Sequence, residues 1–272
     1  GKKFAIAFKL KGAGASTSVL RGADTYVYAI KTITSASAPV LGTYNGVYYR
    51  AIARGIAPVD LERFTVEMRV NINGLNKNNQ ALFGAWAPGS EIYMRFGDAN
   101  PPYDYLNIKF GEGGQIDRTF EGAKTNTWYH IALVFDGSQA TLYVNGSKIT
   151  STDKPAGRVF KLKDAIHVAG SGASYFVNAC IFSELRIWNT ARTLEQIRDN
   201  EYTVDPTTPG LLHYWKMNEG KGGTFANSVA GAPALNVYDE SYDVDHPENS
   251  TIQTPVWVSN VRSDGKGTVK VP

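Results

Sequence analysis

Short segments that alternate apolar and polar residues, each closed by glycine, asparagine or proline, fill most of this chain. In residues 64–72 every second side chain is apolar, so a strand places all of these on one face. Asn145-Gly146 follows the largely apolar segment 140–144 and precedes Lys148-Ile149, which is a strong signal of a β-hairpin. Many short strands with regular turns predict an all-β, two-sheet antiparallel jelly-roll sandwich.

One short helix is predicted among the strands. Thr193 has the side-chain oxygen that caps helix N-termini, and Leu194, Ile197 and Arg198 follow at helical spacing. Pro206 marks the loop that follows. The helix is therefore expected to begin directly after Thr193.

The beginning of the chain differs in pattern from the rest. Two apolar runs, residues 4–10 and 25–30, flank a stretch rich in Gly, Ala and Ser, and residues 34–39 have the composition of a linker. Two strands alone are only marginally stable. We therefore expect residues 1–36 to be the last strands of a truncated N-terminal β domain plus a linker, and residues 37–272 to form the jelly-roll domain.

Charge and hydropathy argue against several partners. The 28 basic and 25 acidic residues give a net charge of +3, and no basic run could follow a phosphate backbone, so nucleic acid is not expected to bind. No apolar stretch reaches about 18 residues, so no transmembrane helix is expected. The single cysteine, Cys180, lies in an apolar run and is interpreted as a small buried hydrophobic residue.

Three segments resemble the laminin-G-like and pentraxin-like jelly rolls. They are the hairpin WYHIALVFDG…ATLYVNG at 128–146, the stretch FSELRIWN…ART…EQI at 182–197, and GLLHYWKMNEG at 210–220. Together the resemblance covers roughly residues 41–272, and it implies a concanavalin A-like/laminin-G-like fold. Each segment contains a tryptophan large enough to span a two-sheet core, and we expect all three there. They are Trp128, Trp188 and Trp215.

The order of these segments also resembles surface proteins of gut Bacteroidetes. Such proteins often carry a domain of the DUF1735 type ahead of the jelly roll, and residues 3–33 resemble its last strands. The resemblance implies an exported, lipid-anchored, polysaccharide-associated protein at the outer surface of a Gram-negative cell or in its periplasm. The sequence itself shows neither a lipobox cysteine nor a substrate.

No catalytic motif stands out in the sequence. Related glycoside hydrolases place two carboxylates on one strand in an E-x-D-x-E or E-x-D-x-x-E run, which this chain lacks. Glu67 alternates with the apolar face of its strand and is interpreted as solvent-facing. His130 and His213 lie among apolar strand residues and are interpreted as packed histidines, and no spacing typical of zinc is found.

An aromatic cluster in or beside turns is the leading candidate for a binding site. Sugars bind to flat aromatic faces, while carboxylate, amide and guanidinium groups hold their hydroxyls. The alternative is that these aromatic rings pack the sheet edges. The predicted ligand-binding residues are Trp86, Tyr93, Arg95, Asp98, Tyr103 and Tyr105.

A calcium site is a second hypothesis. Asp243, Asp245 and Glu248 lie in a loop-like stretch where alternate oxygens could converge on a hard cation. The spacing is not that of an EF-hand, and the alternative is a solvated acidic loop. Asp136 and Asn145 are interpreted as turn-forming residues. No other cofactor is expected.

The sequence thus favours non-catalytic binding of a polysaccharide or glycoconjugate at a bacterial cell surface. Two alternatives stay open: a glycoside hydrolase of the same superfamily with an atypical carboxylate pair, and a structural or adhesive module that binds protein. A hydrolase needs two carboxylates about 5–10 Å apart in a cleft. A lectin-like module exposes an aromatic platform, and an adhesive module exposes a broad apolar patch.

Overall fold

The computed structural model describes residues 35–85, 92–97, 101–110, 115–153, 160–170, 177–243 and 245–262. The strands predicted within residues 3–33 lie outside these ranges. The elements are β1 (Ser35–Tyr44), β2 (Val47–Leu61), β3 (Phe64–Ile72), β4 (Gln80–Ala85), β5 (Ile92–Phe96), β6 (Leu106–Phe110), β7 (Gln115–Thr119), β8 (Trp128–Phe135), β9 (Gln139–Val144), β10 (Ser147–Asp153), β11 (Phe160–Val168), β12 (Cys180–Trp188), α1 (Leu194–Asp199), β13 (Leu211–Trp215), β14 (Thr224–Phe225), β15 (Leu235–Tyr238), a 3-10 turn (Pro247–Asn249) and β16 (Val256–Arg262).

Hydrogen bonds arrange these strands in two antiparallel sheets. The first sheet has the order β10-β9-β8-β3-β12-β1, with β13 beside β12 and β16 beside β1. The second has the order β2-β11-β4-β5-β6-β7, with β15 beside β2 and β14 beside β15. The β1–β2 hairpin joins the two sheets, because β1 pairs with β12 before the turn and with β2 at the turn. The predicted all-β, two-sheet class is confirmed.

The two sheets pack face to face around one apolar core. Phe64 of β3 and Phe135 of β8 contact Phe160 of β11, with ring centroids 4.9 and 5.1 Å apart respectively. This contact joins the two layers, as in other aligned sandwiches. The alternation read from β3 is confirmed, since its predicted apolar face lies entirely in this core. That face consists of Phe64, Val66, Met68, Val70 and Ile72.

The tryptophans are distributed differently from the prediction. Trp215 lies in the main core. Trp188 packs with Val204, and Trp128 packs with Val40, in separate clusters on the outer side of the first sheet. Side chains alternate along a strand, and in β8 and β12 the residue next to the tryptophan takes the inward position.

Residues 35–39, expected as part of a linker, belong to β1. Ala38 pairs with Val258 and Pro39 with Trp257 of β16, after a bulge in the ladder. The small residues of the segment 35–39 predict a linker when only the neighbouring sequence is considered. Here the partner strand lies far along the sequence, and the ladder it forms overrides the local preference.

Helix α1 begins after Thr193, as predicted. The Thr193 hydroxyl accepts the backbone N–H of Gln196 at 3.2 Å, and the Gln196 side chain accepts the backbone N–H of Thr193 at 3.0 Å. This reciprocal pair is a capping box. Ile197 packs on Ala132 and Val134, which seats the helix on the outer side of the first sheet. Among the described residues, no helix has the length and apolar character needed to cross a bilayer.

Replacing Thr193 by alanine should lower the free energy of unfolding by about 1 kcal/mol, because one backbone donor of the first turn loses its acceptor. Urea-induced unfolding followed by tryptophan fluorescence measures this change. Thr125→Ala is the matched control, since Thr125 is exposed. An equal effect of the two substitutions would contradict a capping role.

Candidate functional site

The candidate site lies where β5 ends and β6 begins. Phe96 pairs with Gln80 on one side and with Leu106 on the other. The next residue, Gly97, donates its backbone N–H to the carbonyl of Tyr105 at 2.9 Å. The ends of three neighbouring strands therefore meet at one edge of the second sheet.

Tyr103 lies against Gly97 at this edge. Gly97 has φ +68°, and a Cβ added there would come within 2.8 Å of the Tyr103 Cβ. Only glycine combines that backbone conformation with such a close approach. Tyr103 is half-buried, whereas Tyr105 and Tyr93 are 3% and 7% exposed. Of these three tyrosines, Tyr103 is the most exposed.

Arg95 links the neighbouring loop to the outer face of β5. Its Nη1 donates a hydrogen bond to Oδ1 of Asn79, and its guanidinium carbon lies 5.3 Å from the ring centroid of Tyr93. The Lys109 ammonium lies 5.8 Å from the same ring. Asn79 has φ +52°, a conformation that asparagine tolerates better than most residues. Arg95 thus holds Asn79 beside the end of the strand.

Two further loops are tied to this end of the sandwich. Ala123 donates its backbone N–H to the carbonyl of Asp104 at 2.9 Å. The Asn73 side chain donates to Oδ1 of Asn126 at 3.2 Å. The Asn178 side chain donates to the carbonyl of Gly74 at 2.9 Å. We call this set of segments, 73–79, 101–105, 120–127 and 177–179, the loop end.

The loop end combines a ring surface with polar groups on a fixed backbone. Asn73 and Asn76 are exposed, and Asn79 and Asp104 are half-buried. Amide groups can donate to and accept from hydroxyls, and carboxylates can accept from them, which suits a ligand rich in hydroxyl groups. The hydrogen bonds between loops hold these groups in place before any ligand arrives.

The structure brings four of the six predicted ligand-binding residues together here. The other two, Trp86 and Asp98, lie outside the described residues. Asp104 was noted in the sequence as a polar residue flanking these aromatic rings, whereas Asn79 was not predicted. The three asparagines among residues 76–79 were a usable signal, since asparagine favours turns and left-handed backbone. The four residues brought together are Tyr93, Arg95, Tyr103 and Tyr105.

Comparison with known families identifies the fold. The model of the family Laminin_G_3, described as concanavalin A-like lectin/glucanases superfamily, matches residues 12–198. The chain belongs to the Laminin_G_3 family. No curated protein matches it.

Solved structures are similar to this Laminin_G_3 chain to different degrees. A proposed carbohydrate-binding protein from Bacteroides ovatus ATCC 8483 superposes with a TM-score of 0.59 at 24% identity, covering 80% of this chain and 65% of its own. A heptameric SAP-like pentraxin from Limulus polyphemus has a TM-score of 0.45 at 16% identity, covering 60% and 80%. Domain 4 of an extracellular arabinanase from Geobacillus stearothermophilus, in complex with arabinotriose, has 0.41 at 19%, covering 60% and 86%. The likeness to the Bacteroides ovatus structure concerns the fold alone, at 24% identity.

The predicted calcium ligands of this Laminin_G_3 chain are not brought into one group. Oδ1 of Asp243 accepts the backbone N–H groups of Asp245 at 2.9 Å and His246 at 3.0 Å, so it caps its own turn. Glu248 lies 3.5 Å from His246. Within the described part of the chain, no three His, Cys, Asp or Glu side chains are arranged to hold a metal ion. Calcium binding at these residues stays a prediction.

Glu67 is fully buried, and the prediction that it faces solvent is wrong. Its Oε1 accepts Nε1 of Trp188 at 2.8 Å, and its Oε2 lies 3.1 Å from Nε2 of His130. Guanidinium nitrogens of Arg186 and Arg192 lie 3.7 and 3.8 Å from Oε1. The outward face of β3 was read as exposed, but helix α1 and the segment after it cover this side of the sheet.

Charge compensation keeps Glu67 ionised. Burial by itself would raise the pKa of this carboxyl group, but the hydrogen bond with His130 and the charges of Arg186 and Arg192 hold that pKa below its ordinary value. Glu184 also binds Arg186, so two carboxylates share one guanidinium. Glu67 and Glu184 cannot act together on a glycoside, because no substrate reaches the fully buried carboxylate of Glu67.

Other interpretations from the sequence are confirmed. Cys180 is fully buried, and burial raises the pKa of its thiol. Oδ1 of Asp136 accepts two backbone N–H groups of its own turn, and Asn145 has φ +50°. His130 and His213 are both buried, and burial lowers the pKa of His213 to about 4.

Proposed function

We propose that this chain binds a polysaccharide or glycoconjugate at a bacterial cell surface without cleaving it, and that the loop end receives the sugar. One observation carries the proposal: half-buried Tyr103 lies against Gly97 at the loop end, which also contains the half-buried residues Asn79 and Asp104. The family description names lectins, and the Bacteroides ovatus structure is that of a proposed carbohydrate-binding protein. Both support the proposal.

The chemistry of a sugar matches this arrangement. One face of a pyranose ring is apolar and stacks on an aromatic ring, as Tyr103 allows. Its hydroxyls both donate and accept hydrogen bonds. The Asn79 amide can also do both, whereas the Asp104 carboxylate accepts them. The loops are already ordered by mutual hydrogen bonds, so binding loses less conformational entropy than it would with mobile loops.

The exposed surface favours glycan recognition over an adhesive apolar contact. Among the described residues, Ile252, which is 47% exposed, is the one exposed large hydrophobic side chain. An adhesive module of the kind considered from the sequence would present a contiguous apolar patch. The described surface lacks such a patch.

A glycan array, followed by calorimetry on the best ligand, tests the proposal. Tyr103→Ala should weaken binding about tenfold, which corresponds to about 1.4 kcal/mol of lost stacking. Tyr103→Phe should retain most of the affinity, because it keeps the ring. Tyr143→Ala, on β9 of the first sheet, is the control and should bind as the parent does.

Two results would count against the proposal. Absence of binding across plant, host and microbial glycans would exclude glycan recognition. Binding that persists in Tyr103→Ala would place the sugar elsewhere on the molecule. The array is run with calcium and again with EDTA, and a loss with EDTA that Asp243→Asn reproduces would support the predicted calcium site.

A further inference from the structure

The hydrogen-bond register places a continuous row of side chains on the outer face of the second sheet. Ile52 lies opposite His167, His167 opposite Gly84, Gly84 opposite Tyr93, and Tyr93 opposite Lys109. The side chains of Ile52, His167, Tyr93 and Lys109 point away from the core, because their strand neighbours point into it, and Gly84 contributes no side chain. Since adjacent strands lie about 4.8 Å apart, this row of five spans about 19 Å.

Basic residues dominate this face. Arg50 and Arg54 project from β2 on the same side as the row, and Lys109 ends the row on β6. We call the surface that carries Arg50, Arg54 and Lys109, with His167 between them, the basic face. Arg54 is exposed and Lys109 is half-buried, and neither forms an ion pair with any described residue.

Carboxylates are absent from the strands that build most of this face. The sequences of β4, β5, β6 and β15 contain neither Asp nor Glu. Three acidic residues lie on the remaining strands. Asp60 lies opposite Lys161 in the register of β2 and β11, at the far end of β2. Asp164 lies 3.4 Å from the Lys163 ammonium, and Asp117 lies on the edge strand β7. In the segment after β15, the Glu240 carboxylate accepts the backbone N–H of Tyr48 at 3.4 Å. Carboxylates therefore border this face at β2, but the strands β4, β5 and β6 carry none.

Tyr242 fixes the two arginines. The Arg50 guanidinium carbon lies 4.8 Å from the centroid of this ring, and its Nη2 donates to the Tyr242 carbonyl at 3.4 Å. Arg54 donates from Nη1 to the Tyr242 hydroxyl. The remaining N–H groups of Arg54 are presented to solvent in the planar arrangement that suits a carboxylate or sulfate.

His167 shows the effect of this charge. Its Nδ1 is buried and has no hydrogen-bond partner among the described residues. Burial, together with the charges of Arg50 and Arg54, lowers the pKa of His167 to about 4. The histidine is therefore neutral near pH 7 and lies in a positive potential, which favours a bound anion.

The basic face adjoins the loop end. Lys109 and Arg95 both lie over the ring of Tyr93, and Arg95 also binds Asn79 of the loop end. A ligand of several sugar units could therefore contact both regions. The charge of one region and the ring of the other then act on a single chain of sugars.

We propose that the glycan recognised by this protein is acidic, with its carboxylate or sulfate groups bound by Arg54 and Lys109 while a sugar ring stacks on Tyr103. This inference rests on the proposed function and adds the chemical class of the ligand. Arginine binds planar oxyanions with two hydrogen bonds, and lysine acts as a point charge.

The test compares matched charged and neutral saccharides on the intact chain. Calorimetry is run with oligogalacturonate and its carboxyl-reduced form, and with dextran sulfate and dextran. At least one acidic member should bind about tenfold more tightly than its neutral counterpart, and the pair that does so identifies carboxylate or sulfate. Arg54→Gln and Lys109→Gln should each weaken acidic binding about three- to tenfold.

Lys148→Gln is the matched control, because Lys148 is exposed on β10 of the first sheet. It should leave binding unchanged, and all variants should melt at the parent temperature. Raising the salt from about 0.1 M to about 1 M shortens the Debye length from about 10 Å to about 3 Å. Acidic binding should weaken several-fold over this range, and neutral binding should not.

Failure of this inference is distinguishable from failure of the proposed function. Equal affinity for acidic and neutral saccharides, or acidic binding unchanged in the Arg54→Gln/Lys109→Gln double variant, overturns the acidic-ligand inference alone. Binding that depends on both cations but not on Tyr103 overturns the proposed stacking site and leaves the basic face as the site. Absence of binding to all four saccharides also overturns the inference.

Discussion

Replacing Glu67 by alanine is expected to lower the free energy of unfolding by about 3–5 kcal/mol, the range found when one partner of a buried ion pair is removed. The substitution leaves Arg186 without its buried carboxylate and removes the acceptor of the Trp188 indole N–H. Urea-induced unfolding measures the change. Glu62→Ala is the control, because Glu62 is exposed between β2 and β3, and it should cost about 0.5 kcal/mol or less.

Glu67→Gln separates charge from shape in the same network. Glutamine keeps an oxygen for Trp188 and nearly the same volume, but it removes the negative charge beside Arg192 and leaves Arg186 with Glu184 alone. The loss of stability should therefore approach that of alanine. A loss of unfolding free energy below about 1 kcal/mol for both variants would show that this network does not hold α1 and its neighbouring segment on the first sheet.

The Glu67 carboxylate should also make the free energy of unfolding depend on pH. The pKa of Glu67 is lowered in the folded protein relative to 4.5, its ordinary value. A lowered pKa adds stability that is complete above pH 4.5 and is lost as pH falls through the folded-state pKa. The Glu67→Ala variant should therefore lose less stability than the parent between neutral pH and strong acid.

Replacing Trp215 by alanine should also cost about 3–5 kcal/mol, because it empties a large volume in the main core. Trp215 is fully buried, its indole donates to the carbonyl of Pro233 at 3.0 Å, and its ring stacks on His213 at 5.1 Å. Trp257→Ala is the matched control. Trp257 is half-buried at the sheet edge and should cost clearly less. Thermal and urea unfolding give the two values, and equal costs would contradict the placement of Trp215 in the core.

Several features of the fold could be predicted because their causes are local. The apolar face of β3, the cap at Thr193 and the turn at Asn145-Gly146 each depend on residues within a few positions of one another. Side-chain alternation and turn stereochemistry act at that range. Sequence alone was sufficient for these elements and for the two-sheet class.

The candidate site was predictable only in part. Tyr103 and Arg95 were recognised by residue type, since an aromatic ring beside a turn and a nearby guanidinium are typical of sugar sites. The basic face was not foreseen, because Arg54, His167 and Lys109 belong to three strands that are distant in sequence. Their common face results from the pairing of β2, β11, β4, β5 and β6.

Sequence by itself determined the strands, their inward faces, the helix start and the class of fold, because hydrophobic alternation and backbone preferences are local. The tertiary structure alone decided which outward faces are covered. Glu67 was read as exposed because β3 alternates, and it is buried because α1 packs over that side of the sheet. Burial and charge compensation depend on contacts between residues far apart in the chain, which local sequence patterns do not record.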